Sequence, residues 1–152
     1  MKKKLSLVAA FLGIAVILVM AAFALGVFGV LKSESVKDMD YDGFSYSGSL
    51  LNGHFNGYGV LVFDDGSVYR GGFLFGRFDG EGSFSAADGR LIYAGTFKDG
   101  RYSGFGLYYS TAGWTYEGDF LEGLFHGEGT IRSDAGEYRG LWERGEQVAL
   151  YD

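Results

Sequence analysis

The sequence predicts an all-β repeat domain, an elongated, twisted, single antiparallel sheet of stacked β-hairpins, preceded by one transmembrane α-helix. Three observations predict it. A run of 27 uncharged residues, Leu5–Leu31, follows three lysines at the N-terminus. A tyrosine recurs at Tyr46, Tyr69, Tyr93, Tyr116 and Tyr138, at spacings of 23, 24, 23 and 22. Each tyrosine opens a phrase in which Tyr, Gly and an aromatic or apolar residue stand at every second position. That is the period of a strand, which puts them on one face; a helix scatters them.

Residues 1–4 are a basic flank, with Lys2, Lys3 and Lys4, and residues 5–31 are the membrane helix. At ~1.5 Å per residue that helix reaches ~40 Å, more than the ~30 Å hydrocarbon core, so it can span with tilt. The lysines precede it, whereas residues 32–42 carry two lysines and four acids. The positive side stays in the cytoplasm, which places the repeats outside the plasma membrane of a single-pass protein. The compact layout is of the bacterial kind. A cleaved signal peptide is the alternative, with Ala22-Phe23-Ala24 as a small-x-small site. Its apolar region, however, usually holds only ~7–15 residues. Within the helix, Ala15, Ala22, Gly26 and Gly29 share a narrow arc. Small residues there let a second helix pack closely; the alternative is ordinary membrane composition.

Residues 32–45 read as a linker with room for a first strand, since Asp42-Gly43 stands before Tyr46 as similar pairs stand before the later tyrosines. Residues 46–147 hold the repeats, four full and one partial. The first reads Tyr46, Gly48, Leu50, Gly53, Phe55, Gly57, Gly59. The second keeps Tyr69, Gly71, Phe73, Gly76, Phe78, Gly80 and Gly82 at the same offsets. The third and fourth repeat the phrase from Tyr93 and Tyr116; the fifth stops after Tyr138, Gly140, Trp142 and Gly145. In each copy a glycine opens a turn and a second strand follows, such as Gly59–Phe63 or Gly106–Ser110. Asp65-Gly66, Asp88-Gly89, Ala112-Gly113 and Ala135-Gly136 close the units. Such pairs suit hairpin turns because Gly accepts positive φ. About nine strands at ~4.8 Å make a sheet of roughly 40 Å. Residues 148–152 are left as a tail.

The phrase resembles the membrane occupation and recognition nexus, or MORN, repeat, over residues 46–147, about two thirds of the chain. Leu50 and Trp142 stand where Phe is usual, and the last copy is incomplete. The resemblance implies a twisted antiparallel sheet of stacked hairpins that serves as a scaffold or interaction module. Some family members add a catalytic domain, for which the helix and repeats leave no room. Phosphoinositide binding, proposed for the family, is not carried over. Between Tyr46 and Gln147 there are 14 Asp/Glu against 8 Lys/Arg, in a chain of net charge −6. Nucleic acid and anionic lipid both reward the opposite balance.

No enzyme is expected, and no cofactor. The chain has no Cys, which excludes disulfides, thiolate metal sites and Cys nucleophiles. His54 and His126 fall at different offsets and read as loop residues in solvent, not as parts of a catalytic site. Asp64-Asp65-Gly66 is one short acidic turn, short of the about six to eight oxygens that Ca²⁺ takes. The repeated aromatics read as the core, because a single sheet must bury one face.

The better candidates for contact are the departures from repetition. On the second strands, the face away from the tyrosines carries Tyr58, Val60 and Val62 in the first copy, and Phe105, Leu107 and Tyr109 in the third. The same positions hold Glu81, Ser83 and Ser85 in the second copy, and Glu128, Thr130 and Arg132 in the fourth. The pattern itself does not demand apolar residues there. Leu51, Leu74 and Leu121 widen the two stripes, which lie about four strands or ~19 Å apart. Exposed apolar patches mark docking sites; cover by the linker or tail is the alternative. Open sheet ends also leave homo-oligomerisation available, opposed in the last copy by Arg139, Glu143, Arg144 and Glu146. Two functions follow. One is a membrane-anchored scaffold docking onto another membrane or envelope protein. The other is a surface module that binds glycan or cell-wall polymer through exposed aromatics.

Overall fold

The computed structural model describes residues 31–151. The membrane helix expected over residues 5–31, with its face at Ala15, Ala22, Gly26 and Gly29, lies outside the described residues except for Leu31. Among the described residues there is no helix. There are eleven strands: β1 Ser33–Tyr41, β2 Phe44–Leu51, β3 His54–Phe63, β4 Val68–Leu74, β5 Arg77–Ser85, β6 Leu91–Lys98, β7 Arg101–Tyr109, β8 Thr115–Leu121, β9 Leu124–Ser133, β10 Gly136–Glu143 and β11 Glu146–Tyr151. They form one open sheet in chain order, and every neighbouring pair is antiparallel. The sheet is two strands longer than the nine expected, and roughly 48 Å across its ten strand steps. β1 fills the segment read as a linker with room for a first strand, and β11 runs on into the tail.

The register explains the glycines. Gly48, Gly59, Gly71, Gly82, Gly95, Gly106, Gly118, Gly129 and Gly140 are each cross-strand partners of the next, in one unbroken row over β2–β10. The row ends against Val36 on β1 and Leu150 on β11. Tyrosine rings lie across the first eight of these glycines, in pairs. A Cβ at Gly82 would sit 2.6 Å from the Tyr69 hydroxyl oxygen and 2.9 Å from its Cζ and Cε2. Tyr46, Tyr93 and Tyr116 cover their own glycine pairs in the same way. A side chain at any of the eight would strike the tyrosine two residues back on the same or the partner strand.

Two kinds of turn alternate. Asn52-Gly53, Phe75-Gly76, Asp99-Gly100, Glu122-Gly123 and Arg144-Gly145 all have positive φ at both residues, the two-residue type I′ hairpin that matches strand twist. The turn is therefore tighter than expected. The second strands start at His54, Arg77, Arg101 and Leu124, not at the later glycine. Gly57, Gly80, Gly104 and Gly127, also at positive φ, become bulges inside those strands. The reason is packing: Phe55 must already be in a strand to stack on Tyr46, at 3.9 Å between ring centroids.

At the other end of each hairpin, Gly66 donates its N–H to the Phe63 carbonyl and Phe63 donates to Ser67, closing a three-residue loop. Asp65 accepts from the Ser67 amide at 2.8 Å and hydroxyl at 2.6 Å, and these bonds hold its carboxyl below the ordinary range. Gly89 and Gly113 close the next two loops alike. The fourth is shorter: Ser133 pairs directly with Gly136, which accounts for the spacing of 22. The spacing of 24 is absorbed by Ile92, an extra residue between the pairs Phe84–Tyr93 and Ser85–Leu91.

Candidate functional site

The aromatic face repeats one unit of four rings. A tyrosine stacks on the ring nine residues ahead: Tyr46 on Phe55, Tyr69 on Phe78, Tyr93 on Tyr102 and Tyr116 on Phe125, all at 3.8–3.9 Å and within 20° of parallel. Two perpendicular rings flank each inner stack. Phe73 and Phe97 stand edge-on to Tyr69 at 5.2 and 5.1 Å, and Phe97 and Phe120 do so to Tyr93 at 5.1 and 5.2 Å. Every interior flanking ring thus serves two hairpins, which is how neighbouring repeats supply the core that one hairpin lacks. Each tyrosine hydroxyl donates to the carbonyl three residues on, at Ser49, Gly72, Thr96 and Asp119, over 2.9–3.0 Å. Tyr46, Tyr69, Tyr93 and Tyr116 are 0% exposed. Burial raises their pKa values, that of Tyr116 to about 12.

The fifth copy breaks the unit. Position nine after Tyr138 is Gln147, not an aromatic. Tyr138 is 45% exposed, and its hydroxyl makes only a 3.5 Å bond to Ala135. Trp142 still closes the stack below it, edge-on to Tyr116 at 5.3 Å. At the opposite end Val36 and Phe44 pack against the core, and Tyr41 stacks on Phe44 at 5.0 Å.

Family models of the MORN repeat match residues 46–68, 69–89, 93–115 and 116–137, more than half of the chain. The chain belongs to the MORN repeat family. No curated protein matches it. The fifth phrase, from Tyr138, lies beyond the matched copies, in keeping with its unstacked tyrosine.

The residues singled out as departures from MORN repetition lie on the other face. Tyr58 and Phe105 are 68% and 60% exposed, and Val62 is exposed as well; Val60, Leu107 and Tyr109 are half-buried. They form two stripes and not one patch. One continuous cross-strand row reads Val60, Arg70, Ser83, Ala94, Leu107, so small and polar side chains separate the stripes. Leu74 and Leu121 are exposed near the hairpin tips, while Leu51 is half-buried. The two histidines are not loop residues: His54 opens β3, and His126 lies in β9, half-buried, with its Nδ1 unpartnered among the described residues.

Next to Phe105 the same face holds a groove of about 350 Å³, lined among others by Glu117, Glu128, Arg132, Arg139 and Tyr151. Arg132 pairs with both Glu117 and Glu137. Its residues come from β7 to β11, so only the register assembles it. The sequence carries no signal for it: the positions equivalent to Glu117, Arg132 and Arg139 vary from copy to copy, with Arg70 and Tyr109 among them, and no local motif joins the three.

Proposed function

We propose that this MORN protein is a non-catalytic, membrane-anchored scaffold whose sheet docks onto another membrane or cell-envelope protein. Leu5–Leu31 is its single-pass anchor, with the lysine flank in the cytoplasm and the repeats outside. The observation that carries the docking is the exposure of Tyr58 and Phe105 on a face where alternate repeats place Glu81 and Glu128. Large aromatics in solvent, at positions the fold leaves free, are the residues from which protein interfaces draw their anchors. The test is purification of the full chain from detergent-solubilised membranes, with Tyr58→Ser/Tyr109→Ser as the comparison. A stoichiometric membrane protein should accompany the parent and be lost from the double variant, with melting unchanged. Retention of the same partner by a folded double variant rules out this face.

The second reading, a module for glycan or cell-wall polymer, is favoured by a different observation: the row of ring stacks on the aromatic face.

A further inference from the structure

The outer rings of the four stacks, Phe55, Phe78, Tyr102 and Phe125, are only partly buried, although the tyrosines beneath them are fully covered. In the two inner stacks the inner ring face is occupied by the tyrosine and two sides by perpendicular rings. Their exposed part therefore looks away from the glycine floor. The result is a line of flat aromatic platforms, one per hairpin, recurring every two strands or ~9.6 Å.

We infer that this row binds a linear, neutral, β-1,4-linked polysaccharide, one disaccharide to each hairpin. The inference rests on the second reading above and not on the docking of the other face. Three observations carry it. The first is period. In a β-1,4-linked chain alternate sugars are turned over, so the same apolar sugar face recurs once per disaccharide, over nearly the distance between platforms. The second is charge. The row and its flanking residues Leu50, Phe73, Phe97, Phe120 and Trp142 are uncharged, charges of both signs stand only beside it, as Arg77, Asp99 and Arg101 do near Tyr102, and the repeats as a whole are acidic. An anionic polymer is repelled and a neutral one is not. The third is a polar partner beside the platforms. A groove of about 330 Å³ lies against Phe78, Phe97, Tyr102 and Arg101, and Arg101 forms no ion pair among the described residues. Its guanidinium and the Tyr102 hydroxyl supply the hydrogen bonds that orient a sugar stacked on the rings.

The test titrates the full chain, in detergent micelles, with β-1,4-linked N-acetylglucosamine oligomers of increasing length and with α-1,4-linked glucose oligomers as controls. Affinity should rise about three- to tenfold for each added disaccharide, the range expected of one further ring contact. It should level off once four platforms are filled, and the α-linked series should not bind. Phe78→Ile/Tyr102→Ile keeps apolar volume and removes two flat faces; it should lose the length dependence. Should that variant not fold, Phe78→Trp retains a platform, and the emission of the introduced indole should change on saturation with the hexamer. Binding that ignores length or linkage, or an indole emission indifferent to the hexamer, overturns the inference. Retention on purified cell-wall material without binding of the β-1,4 series overturns it too, yet leaves the broader glycan reading standing. Failure on both overturns both.

Discussion

At the residue scale, the sequence pattern is a steric statement. Tyr69 needs an empty space on its own strand and another on the next, and Gly71 and Gly82 provide them. Replacing Gly82 with Ala puts a methyl 2.6 Å from the Tyr69 hydroxyl oxygen, against a ring held by its stack on Phe78 and its bond to the Gly72 carbonyl. Forced repacking of this kind costs about 1–3 kcal/mol. Urea unfolding should show that loss for Gly82→Ala, and Tyr69 should become open to solvent; a change within about 0.5 kcal/mol means that the ring moves freely and the glycine row has another cause. The pattern of Tyr, Gly and aromatic was wholly legible in the sequence. What was not legible was which ring meets which, because Tyr69 touches Phe97, 28 residues on, only through the stacking of hairpins. The exposure of Tyr138 was half-legible: the absence of an aromatic at Gln147 is visible in the sequence, but the partnership nine residues apart is known only once one stack is seen.

At the scale of the hairpin, turn chemistry decided where the sequence reading was right and where it slipped. Gly66, Gly89 and Gly113 lie in closing loops as expected, with positive φ and an N–H donated back across the loop, whereas Gly136 begins β10 opposite Ser133. The tip turns were drawn too long, since a glycine at a bulge and a glycine in a turn look alike without the ladder. Their φ values are alike too: 73° at Gly57 and 79° at Gly53. One tip breaks its own rule. Phe75 holds the first left-handed position of a type I′ turn at φ 47°, where the other copies have Asn52, Asp99, Glu122 and Arg144. A bulky side chain there is strained and Asn is favoured. Phe75→Asn also removes an exposed apolar ring. It should raise stability by about 0.5–1 kcal/mol, the scale of compatible turn substitutions. Thermal melts check it; a lower Tm for Phe75→Asn places the Phe75 ring in a contact that holds the sheet.

At the scale of the whole molecule, the antiparallel sheet of repeated hairpins was legible; of its ends, the first strand was legible only as a possibility and the last was not. β1 and β11 lack the full phrase, and only Asp42-Gly43 pointed to β1; they join because a sheet edge has backbone groups left to pair. The apolar stripes on β3 and β7 lie on the expected face. The groove reaching β11 was not expected, because a strand absent from the pattern contributes Tyr151.

Across the sheet the four buried tyrosines act together, and this gives the domain a defined response to alkali. Burial raises each of their pKa values above the ordinary value near 10, Tyr116 to about 12 and Tyr69 and Tyr93 further still. The unfolded chain gives up these protons at about pH 10, before the native state does. Stability is therefore complete below pH 10 and declines as pH rises through the native values. Because each tyrosine holds flanking rings shared with its neighbours, ionising one loosens the next stack, so the loss should be cooperative. The phenolate absorbance of the buried four should rise above pH 10, together with loss of the β-sheet circular dichroism signal. A single ionisation step at pH 10 with the sheet preserved would contradict the burial on which this account of the MORN stack depends.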